Sequence, residues 1–149
     1  VPYAIKVLQE VKLAQKAFVA NSFRSQTVLR KGKWAELAYD AKKYPVYPHG
    51  AGHAVSRDLA TYVSMHKNSL FEYQGEDVSM GIWVSQIGFQ VDFISSEAFE
   101  GHDGNCEDMS KAVIGHKVSP EKMVLCKRFR DNNYTTSTTL ATNPIKSSS

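Results

Sequence analysis

Cysteine is scarce in this chain of 149 residues, which has only Cys106 and Cys126 and no Cys-x-x-Cys pair. Two cysteines cannot build a zinc site alone. They leave two readings, an oxidised pair or two buried thiols, and the first would imply a secretory or comparable compartment. Long apolar runs are also missing. Nothing approaches the ~20 residues of a membrane span, and no secretory leader is visible within the chain. Blocks of like charge are absent and the net charge is only +3, so nothing points to nucleic acid as a partner. No internal repeat occurs. The first residue is Val1 rather than methionine, which points to a processed or cropped polypeptide.

What is present is uneven. Residues 1 to 43 carry nine Lys and Arg against three acids, whereas the remainder carries nine against twelve. A basic first third suits an anionic ligand such as a diphosphate, an acidic partner surface, or ordinary solvated helix faces. The apolar content is enough for one core.

"VPYAIKVLQEVKLAQ" places Pro2 in a first turn and Ala4, Val7, Leu8 and Val11 on one helical face. "AFVANSF" reads as a strand, and "QTVLRKGKW" as a second with a basic exit. "YPVYPHGAG" is too rich in proline and glycine for a helix and reads as a rigid loop. Helical spacing returns in "HAVSRDLATYVSMH", with Ser56 or Asp58 as cap and Leu59, Tyr62 and Val63 facing inward. A second helix is expected from about Asp77, and a strand over "FQVDFIS". "SPEKMVLCKRF" reads as a short helix, and the polar stretch from Thr135 as an extended or disordered arm. The expected organisation is one domain over 1–134 and a tail over 135–149. Alternating strands and helices predict an α/β layer architecture with an incomplete sheet.

Four features carry candidate chemistry. Glu76 and Asp77 follow Gly75 at the mouth of a helix. They suit capping of first-turn amides, and equally a catalytic base at a cleft edge. Gly50 and Gly52 in "YPHGAGH" let backbone approach a phosphate or sugar, or simply make a tight turn. His116 is either a structural residue or a ligand. Trp34, Tyr44 and Tyr47 are either a platform for a sugar ring or core. The loop lacks the Lys-Ser/Thr of a P-loop and the third glycine of a dinucleotide fingerprint.

Taken in order, Arg30-x-x-Lys33-Trp34, the run Tyr44-Pro-x-Tyr47-x-x-Gly50-x-Gly52, Glu76-Asp77-Val78-x-x-Gly81, and His116 ahead of Ser119-Pro-x-x-Met123 resemble glycosyltransferase family 31. This is the beta-1,3-galactosyltransferase and N-acetylglucosaminyltransferase group, and the resemblance runs from about Val1 to Arg130. It implies the C-terminal part of a GT-A-type, Rossmann-like domain that uses a UDP-sugar and inverts the anomeric centre. It implies that Asp77 is the general base and that His116 helps hold Mn²⁺ at the donor diphosphate. Trp34, Tyr47, Gly50, Gly52 and Glu76 would then surround donor and acceptor.

The family's Asp-x-Asp metal clamp is absent from these residues and is expected before Val1. Without it, the chain is not expected to catalyse the reaction. His53 stands where the family has tyrosine, and Pro48 and His49 where many members have Cys-Ser. The resemblance further implies a glycan or glycoprotein acceptor and the lumen of the Golgi. Two rival classes are a non-catalytic remnant packing against protein partners in a larger assembly, and a sugar-binding module. Cys106 and Cys126 flank the His116 segment, and a bond between them would tie it down.

Overall fold

The computed structural model describes residues 2–10, 16–99, 106–107 and 112–140, with side chains over 4–9, 16–99, 106–107 and 112–132. Helix α1 (Pro2–Glu10) precedes strands β1 (Ala17–Ala20), β2 (Phe23–Arg24), β3 (Tyr47–Pro48) and β4 (His53–Val55). Helices α2 (Arg57–His66) and α3 (Glu76–Ser85), strand β5 (Asp92–Ser95), a 3-10 turn (Glu97–Phe99) and helix α4 (Pro120–Leu140) follow. No helix among the described residues is long and apolar enough to cross a membrane.

The mixed sheet is small, with strand order β4-β1-β5. β1 is antiparallel to β4, with Ala20 opposite His53, and parallel to β5, with Phe18 opposite Phe93. All four residues of β1 are buried, as expected of an unbroken apolar run covered on both faces. The parallel pairing needs a crossover, which α2 and α3 provide. β2 and β3 make a separate antiparallel pair.

Among the described residues, three apolar clusters make the core. Val28, Tyr44, Tyr47 and Ile82 form one, Val7, Val19 and Phe99 a second, and Phe18, Leu59 and Val84 a third. Helix α3 joins the first and third through Ile82 and Val84. It lies close against β3 because Gly81 carries no side chain. A Cβ there would stand 2.8 Å from the Val46 carbonyl oxygen and 2.9 Å from Tyr47 Cα.

Several sequence expectations need correction. "QTVLRKGKW" is not a strand. Thr27 makes one isolated bridge to Lys43, and beyond it the Arg30 guanidinium donates to the carbonyls of Glu36 and Ala41, folding the chain back as a loop. The proline- and glycine-rich run is not loop throughout, since β3 lies in its middle and β4 starts at His53, immediately after it. Ser56 does hold the N-cap position of α2, but its hydroxyl bonds no amide of that helix. Instead it accepts the Ala17 amide at 3.2 Å, and Asp58 Oδ2 accepts the Lys16 amide at 3.0 Å. Both side chains tie α2 to the start of β1. Helix α4 runs to Leu140, so 135–140 is helical backbone rather than an extended arm. Val11 and residues 141–149 lie outside the described residues.

Cys106 and Cys126 are bonded, as their placement around His116 predicts. Closing a loop of this size contributes about 3 kcal/mol in the chain-entropy picture.

The packing of α3 yields a measurable expectation. Gly→Ala inside a helix ordinarily stabilises by about 0.5–1 kcal/mol. Gly81→Ala should instead destabilise by about 1–3 kcal/mol, because the methyl meets backbone rather than a yielding side chain. Chemical denaturation reads the sign, and a stabilised variant would mean that α3 does not sit this close to β3.

Candidate functional site

Helix α3 starts at Gly75, which occupies the N-cap position without a side chain to cap with. Ser79 does the fixing instead. Its buried hydroxyl accepts the Tyr73 amide at 2.9 Å and donates to the Gly75 carbonyl at 2.9 Å. Glu76 and Asp77 are the first two residues of the helix, where the dipole favours their charge. Asp77 Oδ1 accepts the Val78 amide at 2.8 Å. Asp77 therefore does satisfy one first-turn amide, though from inside the helix rather than ahead of it.

Its other oxygen looks toward the β3–β4 loop. A Cβ on Gly50 would lie 3.0 Å from Asp77 Oδ2, and one on Gly75 would lie 2.6 Å from Oδ1. The carboxylate thus sits between two glycines that leave room for it. Two residues further along the same loop, Gly52 packs on the Ile114 side chain, whose tip would have to shift to admit a Cβ there. Through Gly50 and Gly52 the loop meets both the Asp77 helix and the segment that leads to His116.

His53, at the end of this loop, sets its ring edge-on to Phe18 with centroids 5.1 Å apart. Burial pushes its pKa below the ordinary value, against the pull of Glu76 and Asp77, which works to raise it. At neutral pH a neutral imidazole therefore stands within electrostatic reach of the carboxylate pair. The sequence marks His53 only by its place in the loop, and its charge state depends on a strand register that sequence does not display.

The aromatic candidates separate. Trp34 is 59% exposed, with the Lys33 ammonium 4.6 Å from its ring centroid. Tyr47 is buried and belongs to the core, its hydroxyl donating to Gln26 Oε1 at 3.1 Å and the Arg24 guanidinium lying over its ring. A ring so enclosed presents almost no face to a sugar, so Tyr47 is core rather than a platform. Arg24 Nε is a buried nitrogen with no hydrogen-bond partner among the described residues.

His116 is half-buried. Among the described residues no three His, Cys, Asp or Glu side chains gather as metal ligands. One imidazole does not fit manganese, which prefers several oxygen ligands. A cleft of about 220 Å³ lies beside this segment, between Val113, Gly115, Val118, Met123, Cys126 and Arg130. Neither Asp77 nor the glycine loop lines it.

One important residue escaped sequence reasoning altogether. Glu36 is buried, and its two oxygens accept the Ala38 amide at 2.6 Å and the Gln74 amide at 2.7 Å. It fastens the 30–41 loop to the stretch just ahead of α3. Burial works to raise its pKa, but the amides of Gln74, Ala38 and Tyr39 and the Arg30 charge outweigh that and hold it below the ordinary carboxylate value. Nothing in the local sequence distinguishes this glutamate from a solvated one, because its partner lies far along the chain.

Comparison with known proteins adds to this geometry. The family model described as Galactosyltransferase matches residues 5–94. A UDP-GalNAc:beta-1,3-N-acetylgalactosaminyltransferase 2 of Danio rerio is 42% identical over 82 residues, covering 54% of this chain and 17% of the relative. Beta-1,3-galactosyltransferase 6 of Mus musculus is 30% identical over 94 residues, covering 62% of this chain and 28% of the relative. A hydroxyproline O-galactosyltransferase of Arabidopsis thaliana is 29% identical over 131 residues, covering 79% of this chain and 18% of the relative. The chain therefore spans less than a third of the length of each of these relatives.

The Glu36 tie carries its own pH dependence. Its folded pKa is depressed, so the stability it supplies is full above the ordinary carboxylate value near 4.5 and is lost as pH falls through the folded pKa. Glu36→Ala should cost about 1–3 kcal/mol in all, for the loss of two partly buried bonds to a charged acceptor. Urea midpoints measured at neutral and acidic pH check both points, since the gap between wild type and variant should close on acidification.

Proposed function

The chain belongs to the galactosyltransferase family, and from that premise we propose that it is part of an inverting, UDP-sugar-dependent beta-1,3-glycosyltransferase of GT-A architecture. The acceptor is a glycan hydroxyl, on a free glycan or a glycoprotein, and the compartment is the secretory lumen, with the Golgi as working location. The disulfide supports a lumenal setting, and the printed names of the relatives support the reaction class.

One observation carries the mechanistic reading, the placement of Asp77 Oδ2 against Gly50. Oδ1 is engaged with the Val78 amide, so Oδ2 is the oxygen that takes the proton. As the acceptor oxygen attacks the anomeric carbon, Asp77 removes its hydrogen and the bond from that carbon to the UDP oxygen breaks. A carboxylate within hydrogen-bond reach of the hydroxyl is what this step requires. The backbone of Gly50 and Gly52 passes beside the reacting groups, Glu76 borders them, and Trp34 offers an open aromatic face to a sugar ring. Tyr47 holds the loop in place.

Manganese enters this proposal only for the full-length protein. His116 would supply one imidazole to an ion held chiefly by an Asp-x-Asp pair from outside these residues. A second reading, a non-catalytic subunit packed in a larger assembly, is favoured by the exposed Val124, Leu125 and Phe129 on α4, outside the matched span.

In the full-length protein, Asp77→Asn should preserve the fold and UDP binding and lower turnover by about 10² to 10⁴, the span of a lost general base. The amide side chain retains an oxygen for the Val78 amide, so thermal stability should change little. Near-normal turnover would leave Asp77 a first-turn residue and no more. His116→Ala should weaken UDP–manganese binding in the same protein by calorimetry, and unchanged affinity would make His116 structural.

A further inference from the structure

One sequence motif serves neither the fold nor the proposed chemistry. Asn133-Tyr134-Thr135 is an Asn-x-Thr triplet whose middle residue is not proline. That pattern is the acceptor for N-linked glycans, which are added in the secretory pathway and sit on protein surfaces.

Two structural observations converge on it. Helix α4 carries the triplet, and Cys126 in the same helix is bonded to Cys106. Such a bond persists in an oxidising lumen and is rare in the cytosol. In addition, Cys126 is buried, while every residue from Lys127 to Asn132 is exposed. The helix therefore enters the triplet along a solvated stretch, and the triplet lies outside the span 5–94 shared with the family.

Local composition favours access as well. "NNYTTSTT" is made of residues that are weak helix formers, because β-branched and short polar side chains compete with the helical backbone. Presenting this stretch to a transferase in a non-helical conformation costs correspondingly little.

We propose that Asn133 is an N-glycosylation site, an inference that rests on the lumenal reading given above. The donor class is an oligosaccharide linked through diphosphate to a lipid. The side-chain nitrogen of Asn133 bonds to the anomeric carbon of the terminal sugar, and the bond from that carbon to the diphosphate oxygen breaks. The amide proton passes to base, the lipid diphosphate leaves, and nothing is oxidised or reduced.

The test is peptide mapping by mass spectrometry of the full-length protein made through a secretory pathway, without reduction and before and after enzymatic glycan release. The peptide holding Asn133 should carry a glycan, and release should convert that asparagine to aspartate. Asn133→Gln and Thr135→Ala should each abolish the modification, whereas Thr135→Ser should retain it. The Cys106–Cys126 bond, seen in the same map, reports the compartment independently. An intact bond with unmodified Asn133 would overturn this inference and leave the lumenal reading standing. Free thiols with unmodified Asn133 would overturn both. Glycan persisting at Asn133 in Thr135→Ala would show that the triplet is not what is recognised.

Discussion

The geometry around Asp77 depends on how closely helix α3 approaches the β3–β4 segment, and that distance is set by side chains that are missing. Gly81 lets the helix rest on the backbone of Val46 and Tyr47, while Gly50 and Gly75 leave space on either side of the carboxylate. Ile82 and Val84 then anchor the helix in two apolar clusters at once. These anchors hold the second half of the helix, and the Ser79 hydroxyl, bonded to Tyr73 and Gly75, holds the first turn that carries Asp77. Close packing of this kind transmits even one added methyl group as a backbone displacement.

A second layer of control comes from polar side chains that bond to the backbone of distant segments. Ser56 and Asp58 hold the start of β1, Ser79 holds the approach to α3, and Glu36 holds that approach from the other side. Each gives a backbone amide a side-chain acceptor from a distant or non-adjacent segment, and the Ala17 amide that Ser56 accepts is a buried donor that requires one. These are residue types usually associated with helix caps and solvated faces, yet here they join the loops to the secondary structure.

Much of the architecture was legible because it follows from local pattern. The apolar run of β1, the amphipathic spacing of α1 and α2 and the start of α3 within a residue of Asp77 all come from periodicity. The pairing of Cys106 with Cys126 agrees with their placement on either side of the His116 segment, whereas their number alone left two thiols equally open. Illegible were the features that depend on partners far along the chain. The strand expected over "QTVLRKGKW" fails because Arg30 bonds carbonyls at Glu36 and Ala41 and folds it back. Sequence left Tyr47 as either platform or core, because its burial is a tertiary fact. Glu36 and His53 take their electrostatic character from neighbours contributed by other segments. The order of the motifs did identify the family, but order alone does not say which loop oxygen or glycine faces the carboxylate.

The central strand has a kinetic implication. β1 finds its antiparallel partner β4 only after the 24–46 excursion, and its parallel partner β5 only after both crossover helices have been laid down. Both pairings are long-range, so their loop-closure entropy is lost before any ladder hydrogen bond is gained, and such topologies fold slowly. On a ribosome, β1 emerges with all its apolar residues and waits for Asp92–Ser95 to follow. During that interval its β5-facing edge is open, and the nascent chain is most exposed to pairing with another copy of itself.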